Sequence, residues 1–301
     1  MDTRRTLLID AFADEPLAGN AAGVVPDAAG LDATQMAAIA RELSASETAF
    51  LTDDADDDVD RRIRYFTPSQ EVDLCGHATV ASLVHLHDEG VLDAGAGRLR
   101  TNVGVLDVEV TEEGVAWMEQ DDPAVEVVDL DYERAGEALG IDPAALRDVG
   151  ADLPAAVATT GLPFLIVPVN FLEHLGPLDS DMDAIASLAA DHGATGVYAF
   201  TFDTLDAAST LHARMFAPGA GVPEDPVTGT ASGACGAYLR AVDAFDDLPD
   251  ELRFEQGHFI DRPGIVRVRV GEEVRVGGRA VTALDGTLAV PPAEDDDIVE
   301  A

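Results

Sequence analysis

Two segments of the sequence share an Arg-X-Phe-X-Pro strand pattern, a polar loop and a glycine that opens a helix of small residues. The first covers residues 64–79 and contains His77, and the second covers residues 214–232 and contains Asp225. Imidazole and carboxyl groups are the side chains that most often transfer protons in enzymes. Free amide groups at the start of a helix favour negative charge. The duplicated junction therefore predicts proton movement on an anionic substrate.

The elements that must position these groups occur in the same order in both halves of the chain. Each half has a hairpin, an amphipathic helix, a strand, the Arg-X-Phe-X-Pro strand, the glycine-opened helix and short alternating strands. Asp32 and Gln35 have the spacing of a capping box at the start of the first helix. Apolar periodicity predicts four main helices, over residues 32–43, 77–89, 180–190 and 230–244.

This order of elements favours an α+β fold of two pseudo-symmetric domains. Each domain is expected to be a mostly antiparallel, β-barrel-like sheet wrapped around a central helix, with the active site in the cleft between them. A polar turn at residues 120–123 marks the boundary. The predicted parts are a first domain over residues 1–120, a second over 121–280, a pair of C-terminal strands within about 281–292 that returns to the first domain, and a disordered acidic tail over 293–301.

The chain of 301 residues has a formal net charge of −40, and all of its 18 basic residues are arginine. Nucleic acid is an unsuitable partner, because binding phosphates requires a basic face. The acidity is interpreted as the surface of a halophile, since salt at about 1 M shortens the Debye length to about 3 Å and screens self-repulsion. No apolar run reaches the roughly 18 residues of a membrane span, so a cytoplasmic protein without membrane contact is expected.

Four motifs in register resemble the PhzF-like phenazine biosynthesis family, which has the diaminopimelate epimerase fold. They are Gly19-Asn20 and residues 46–50, 75–79 and 224–229. The resemblance implies a cofactor-independent isomerase and a homodimer. It also implies a reaction like the family's isomerisation of trans-2,3-dihydro-3-hydroxyanthranilate, a small cyclic amino acid.

Glu47 is the first candidate for the proton carrier. It interrupts an apolar segment, and its counterpart in the second half is Gly196, so the repeat keeps the shape of this position without the carboxylate. In a partly apolar cleft, one carboxyl group can both take and return a proton near neutral pH. The alternative is an exposed glutamate at a strand edge. The family resemblance, in which the matching glutamate is the acid/base, favours catalysis.

His77 and Asp225 are expected to hold and polarise the substrate, as the matching residues do in the family. The alternatives are a local backbone contact for His77 and an N-cap or Asx turn for Asp225. No metal site is expected, because His85 and His87 face different sides of their helix and no ligand set converges. The expected substrate-binding groups are the backbone or side chains of Asn20, Ser46, Gly76, Gly229 and Thr230.

Cys75 raises the alternative of a racemase that uses two thiols on opposite faces of a carbon atom. Pro226 occupies the place that the sequence aligns with the second thiol, and Cys235 lies about 9 Å along a helix from the junction. Cys75 is therefore interpreted as a small buried residue that packs the junction. The main rival function is a non-catalytic protein that binds small molecules in the same cleft.

Overall fold

The computed structural model describes residues 2–147, 149, 153–176 and 178–292. The first half of the chain contains eight strands and two helices within this part. The strands are β1 (Thr3–Ala11), β2 (Asn20–Val25), β3 (Thr48–Thr52), β4 (Arg61–Phe66), β5 (Glu71–Val72), β6 (Gly95–Thr101), β7 (Gly104–Val110) and β8 (Ala116–Glu119), and the helices are α1 (Ala33–Leu43) and α2 (Gly76–Asp88).

The second half repeats this plan with additional short helices. Its helices are α3 (Tyr132–Leu139), α4 (Pro143–Arg147), α5 (Leu172–Leu175), α6 (Met182–Asp191) and α7 (Gly229–Ala241). Its strands are β9 (Ala124–Val127), β10 (Ala156–Thr159), β11 (Pro163–Pro168), β12 (Gly196–Thr201), β13 (Leu211–Ala217), β14 (Val222–Asp225), β15 (Leu252–Gln256), β16 (Gly264–Val270) and β17 (Val274–Gly278). The last described strand is β18 (Ala280–Ala289).

All these strands belong to one continuous sheet, in which most neighbours are antiparallel. Parallel pairing occurs at equivalent places in the two halves, between β2 and β3 and between β11 and β12. The strands β4 and β6, and their counterparts β13 and β15, are also parallel. The two halves join where β8 pairs with β17. The repeat predicted from the sequence is therefore present in the strand connections themselves.

Each half encloses one helix of small residues. In α2 every residue from Ala78 to Leu86 is buried, and α7 is buried through most of its length. A buried hydroxyl pair anchors each helix to its sheet, Tyr65 with Thr79 at 2.6 Å and Tyr198 with Ser232 at 3.1 Å. Small side chains let the strands approach the helix closely, so α2 and α7 lie inside their sheets rather than on them. This confirms the predicted α+β class with a central helix in each half.

The capping box at the start of α1 is also confirmed, because Gln35 N donates to Asp32 Oδ1 at 2.8 Å and Asp32 N donates to Gln35 Oε1 at 3.1 Å. One prediction near the C-terminus is wrong. The expected strand pair within 281–292 is the single strand β18, which pairs with β1 along its length. Gly286 lies opposite Thr6 in this ladder, so the strand continues through it.

The neighbouring Asp285 accepts two hydrogen bonds from Arg5, which helps to keep β18 extended through this point. The acidic tail at 293–301, predicted to be disordered, lies outside the described residues. No helix in the described ranges combines the length and apolarity needed to cross a bilayer.

Candidate active site

The side chains of Glu47 and His77 lie next to each other in the first half. Glu47 directly precedes β3, and its carbonyl oxygen accepts a hydrogen bond from Gly23 N at 2.9 Å. His77 is the second residue of α2, and its Nε2 lies 3.4 Å from Glu47 Oε2 and 3.3 Å from Ser46 Oγ. The Glu47 side chain remains 24% exposed, so a substrate can reach it. A carboxylate and an imidazole in this arrangement can exchange a proton with a bound molecule.

Asp225 approaches the same place from the second half, at the end of β14. Its Oδ1 accepts a hydrogen bond from Asn20 Nδ2 at 3.0 Å, and its Oδ2 accepts one from Thr228 Oγ1 at 2.5 Å. Burial raises the pKa of the Asp225 carboxyl, and these two hydrogen bonds and the nearby His77 only partly offset that effect. Asn20 therefore links the halves, because it lies on β2 and also donates to Val227 O at 2.9 Å.

Gln256 and Thr228 hold Asp225 in place, and neither was proposed from the sequence. Gln256 Nε2 donates to the Asp225 carbonyl oxygen at 2.8 Å and to Thr228 Oγ1 at 3.1 Å. Its Oε1 accepts from Thr228 N at 3.1 Å. Thr228 could have been found, since it lies within the motif at 224–229. Gln256 offered only a weak signal, a polar residue that ends an alternating strand before a glycine.

Cys75 is more than a packing residue, because its thiol lies inside this group. Its Sγ is 3.5 Å from His77 Nδ1, and the side chain is buried. Burial raises the pKa of the Cys75 thiol, and the charge of Glu47 raises it further. Glu47, Cys75 and His77 each place a potential ligand atom within 4.8 Å of the others, contrary to the expectation that no such set converges. Because the raised pKa disfavours the thiolate that binds metals, this set is a poor one.

The structure corrects the position assigned to a second thiol. Cys75 is the N-cap of α2, and the N-cap of α7 is Thr228, whereas Pro226 precedes it by two residues. The residue opposite Cys75 in the repeat is therefore Thr228, which has a hydroxyl group instead of a thiol. Cys235 is fully buried within α7. The geometry required for two-thiol chemistry is absent from this part of the described chain.

The N-termini of α2 and α7 both lie at this region, because His77 is the second residue of α2 and acts electrostatically on Asp225, and α7 begins four residues after Asp225. Neither N-cap side chain forms a capping hydrogen bond. The amide groups of Gly76, Gly229 and Thr230 are thus placed where a carboxylate would be favoured. A Cβ atom at Gly229 would lie 3.1 Å from the ring of Phe12, so the lack of a side chain also serves packing.

The pairing register supports the equivalence of Glu47 and Gly196. Thr48 pairs with Gly23 on β2, and Val197 pairs with Leu165 on β11. Gly23 and Leu165 lie four residues after the first glycine of their hairpins, Gly19 and Gly161. The residues before Thr48 and Val197 are thus equivalent.

Packing explains why the second half has no acid at this position. A Cβ atom at Gly196 would lie 2.5 Å from the carbonyl oxygen of Phe216. Close packing therefore excludes a side chain there, and the carboxylate is present in one half only.

The predicted site residues thus fall into one group. The structure brings together Glu47, His77, Asp225, Asn20, Ser46, Gly76, Gly229 and Thr230. Two histidines lie apart from it, as expected: His85 is buried in α2, and His87 Nδ1 is 3.2 Å from Leu92 O.

Residues 9–286 match the family model described as phenazine biosynthesis-like protein. The chain belongs to this family. Its curated relatives include an uncharacterized isomerase of Deinococcus radiodurans, which is 38% identical over 92% of both chains. Another is the uncharacterized isomerase YfhB of Bacillus subtilis, 35% identical over 95% of this chain and 96% of the relative. The protein is therefore an isomerase.

Solved structures agree with this assignment. A PhzF-family phenazine biosynthesis protein from Bacillus anthracis is 32% identical, covers 96% of this chain and 100% of its own, and has a TM-score of 0.87. A probable proline racemase from Agrobacterium radiobacter matches at 13% identity with a TM-score of 0.59, covering 98% of this chain and 94% of its own. At that identity the likeness concerns the fold alone, which is diaminopimelate epimerase-like as expected.

Proposed function

We propose that this isomerase moves a proton within a small, carboxylate-bearing, cyclic amino acid-like substrate, with Glu47 as the acid/base and no cofactor. The observation that carries the proposal is the convergence of Glu47, His77 and Asp225 at the uncapped starts of two helices. A carboxylate substrate is favoured there, because free amide groups and two positive helix ends face it.

Each residue has a distinct role in the proposed reaction. Glu47 removes a proton from a carbon next to an unsaturated or carbonyl group and returns it elsewhere on the same molecule. His77 hydrogen-bonds the system whose electrons shift, while Asp225 holds an amino or hydroxyl group. Thr228 and Gln256 keep Asp225 oriented, so its carboxyl group needs no rearrangement when the substrate binds.

The test begins with a search for a substrate. Small cyclic amino acids are screened in molar potassium chloride by thermal shift, and binders are incubated with the protein in heavy water. We expect mass spectrometry to show deuterium at carbon in one or more binders. Binding without any incorporation would support the rival, a protein that binds but does not isomerise.

The assignment of Glu47 is then tested with Glu47→Gln, which keeps the shape of the side chain and removes the ionisable proton. We expect exchange to fall by at least about 100-fold, the usual contribution of a general acid or base. Glu42→Gln, on the exposed face at the end of α1, is the matched control and should exchange like the wild type. If Glu47→Gln retained wild-type exchange while Cys75→Ser lost it, a thiol mechanism would replace the one proposed.

A further inference from the structure

A second group of ligating side chains lies in the C-terminal half and takes no part in the proposed reaction. His212 is on β13, Glu255 is opposite it on the parallel strand β15, and His258 begins a short turn after that strand. Each of the three places a potential ligand atom within 4.8 Å of the other two. Both His212 and Glu255 are almost completely buried, at 0% and 1% exposure.

Glu255 fixes the orientation of His212. Its Oε2 lies 2.9 Å from His212 Nδ1 and also accepts a hydrogen bond from Leu205 N at 2.9 Å. Its Oε1 accepts one from Asp206 N at 2.7 Å. A carboxylate that receives these bonds places the His212 proton on Nδ1, which leaves a lone pair on Nε2.

Two nitrogen atoms of this group have no hydrogen-bond partner among the described residues. They are His212 Nε2 and His258 Nδ1, both inaccessible to solvent. The two rings are close, with centroids 5.1 Å apart. A buried nitrogen without a hydrogen-bond partner destabilises a fold, so two of them in neighbouring rings require an explanation.

We propose that His212 and His258 bind a divalent transition-metal ion of the zinc, cobalt or nickel type, with Glu255 as the outer carboxylate. Neutral imidazole nitrogens suit these ions, whereas magnesium and calcium prefer oxygen ligands. A carboxylate that accepts the other N–H of a metal-binding histidine is a common arrangement, because it fixes the ring and increases its basicity.

The position of this group indicates a structural role. His258 is separated by Gly257 from Gln256, the residue that holds Asp225 and Thr228. Gly257 has φ 82°, and a Cβ atom there would collide with carbonyl oxygens of Arg262 and Pro226. A metal ion at His258 would fix this tight turn, and thereby the end of the strand that carries Gln256, without contacting the substrate.

The experiment is a titration of the whole protein with cobalt(II), followed by its visible absorption spectrum. Potassium chloride at about 1 M screens weak binding to the acidic surface. We expect one equivalent to bind with the spectrum of nitrogen ligands, and zinc to displace it. His258→Gln should abolish this spectrum, and Glu255→Gln should weaken binding by about 10–100-fold. His192→Gln, at the end of α6, is the control and should bind like the wild type.

The active-site group of Glu47, Cys75 and His77 is the competing location, and Cys75→Ser identifies it. Loss of cobalt binding in Cys75→Ser but not in His258→Gln would overturn the proposal. The absence of stoichiometric binding at millimolar cobalt would also overturn it, and would favour a buried water molecule between the two rings. If His258→Gln does not fold, paramagnetic broadening of the His212 and His258 ring signals in the wild-type protein gives the same answer. No substrate is needed, so failure here would leave the proposed isomerase reaction untouched.

Discussion

The repeat provides the same ion pair in two different environments, which allows a direct prediction about stability. Arg64 pairs with Glu71 at 2.7 Å in the first half, and Arg214 pairs with Glu224 at 2.7 Å in the second. Both arginines donate two hydrogen bonds to their partner. The side chains of the first pair are 24% and 30% exposed, whereas those of the second are 8% and 12% exposed.

Burial decides the cost of neutralising each glutamate. In Glu224→Gln the guanidinium of Arg214 remains buried without a counter-charge, next to the carbonyl oxygens of Leu175 and Gly176 and the ring of Phe259. Breaking a buried pair in this way costs about 3–5 kcal/mol of unfolding free energy. Glu71→Gln leaves an arginine that water can reach, so we expect about 0.2–1 kcal/mol.

Urea unfolding followed by circular dichroism at a fixed molar salt concentration measures both changes by linear extrapolation. Salt screens the exposed pair more than the buried one, so the difference should persist at high ionic strength. The double variant Arg214→Met with Glu224→Met removes both charges and should recover most of the stability lost in Glu224→Gln. An equal loss for Glu71→Gln and Glu224→Gln would refute the argument from burial.

Three further predictions concern the site and the surface. Asp225→Asn should lose less stability than the wild type as the pH rises towards neutral, because a raised carboxyl pKa means that ionisation of Asp225 destabilises the fold. The difference in melting temperature between the variant and the wild type should change as the pH rises above 3.8, the ordinary pKa of an aspartate carboxyl. A difference that stays constant in thermal unfolding at several pH values would contradict this prediction. Gly196→Ala should lose about 1–3 kcal/mol of unfolding free energy in the same urea assay, because its Cβ atom would clash with the backbone of Phe216. Gly219→Ala is the control and should lose less than about 0.5 kcal/mol, since a Cβ atom there meets only Ala186 at 3.9 Å. Dialysis from molar salt to dilute buffer should unfold the chain, since its net charge of −40 is then unscreened; an unchanged circular dichroism spectrum would contradict the halophilic interpretation.

The sequence was sufficient to predict the elements that open on glycine and the residues directly beside them. Local signals, such as the capping box at Asp32 and the glycine before His77, depend only on neighbouring residues and can therefore be predicted from the sequence. The repeat then placed Glu47 opposite Gly196, an equivalence that the strand register supports.

The contacts that could not be predicted are those between residues far apart in the chain. Gln256 reaches Asp225 only because β15 pairs with β13, and His212 meets Glu255 through the same pairing. The pair of strands expected within 281–292 is a single strand for a related reason, since pairing with the distant strand β1 continues through Gly286.

The uncapped starts of α2 and α7 have a consequence for how the isomerase folds. Both helix starts carry partial positive charge, lie beside the same group of residues and lack a capping side-chain hydrogen bond, so their like charges disfavour the fold. In the proposed function an anionic substrate binds at these helix starts and reduces this repulsion, which would link folding to ligand concentration. At a ligand concentration about 100 times the dissociation constant, linkage adds about 2.7 kcal/mol to the unfolding free energy. The substrate would thus stabilise the folded protein when it is abundant, and so protect the chain from degradation.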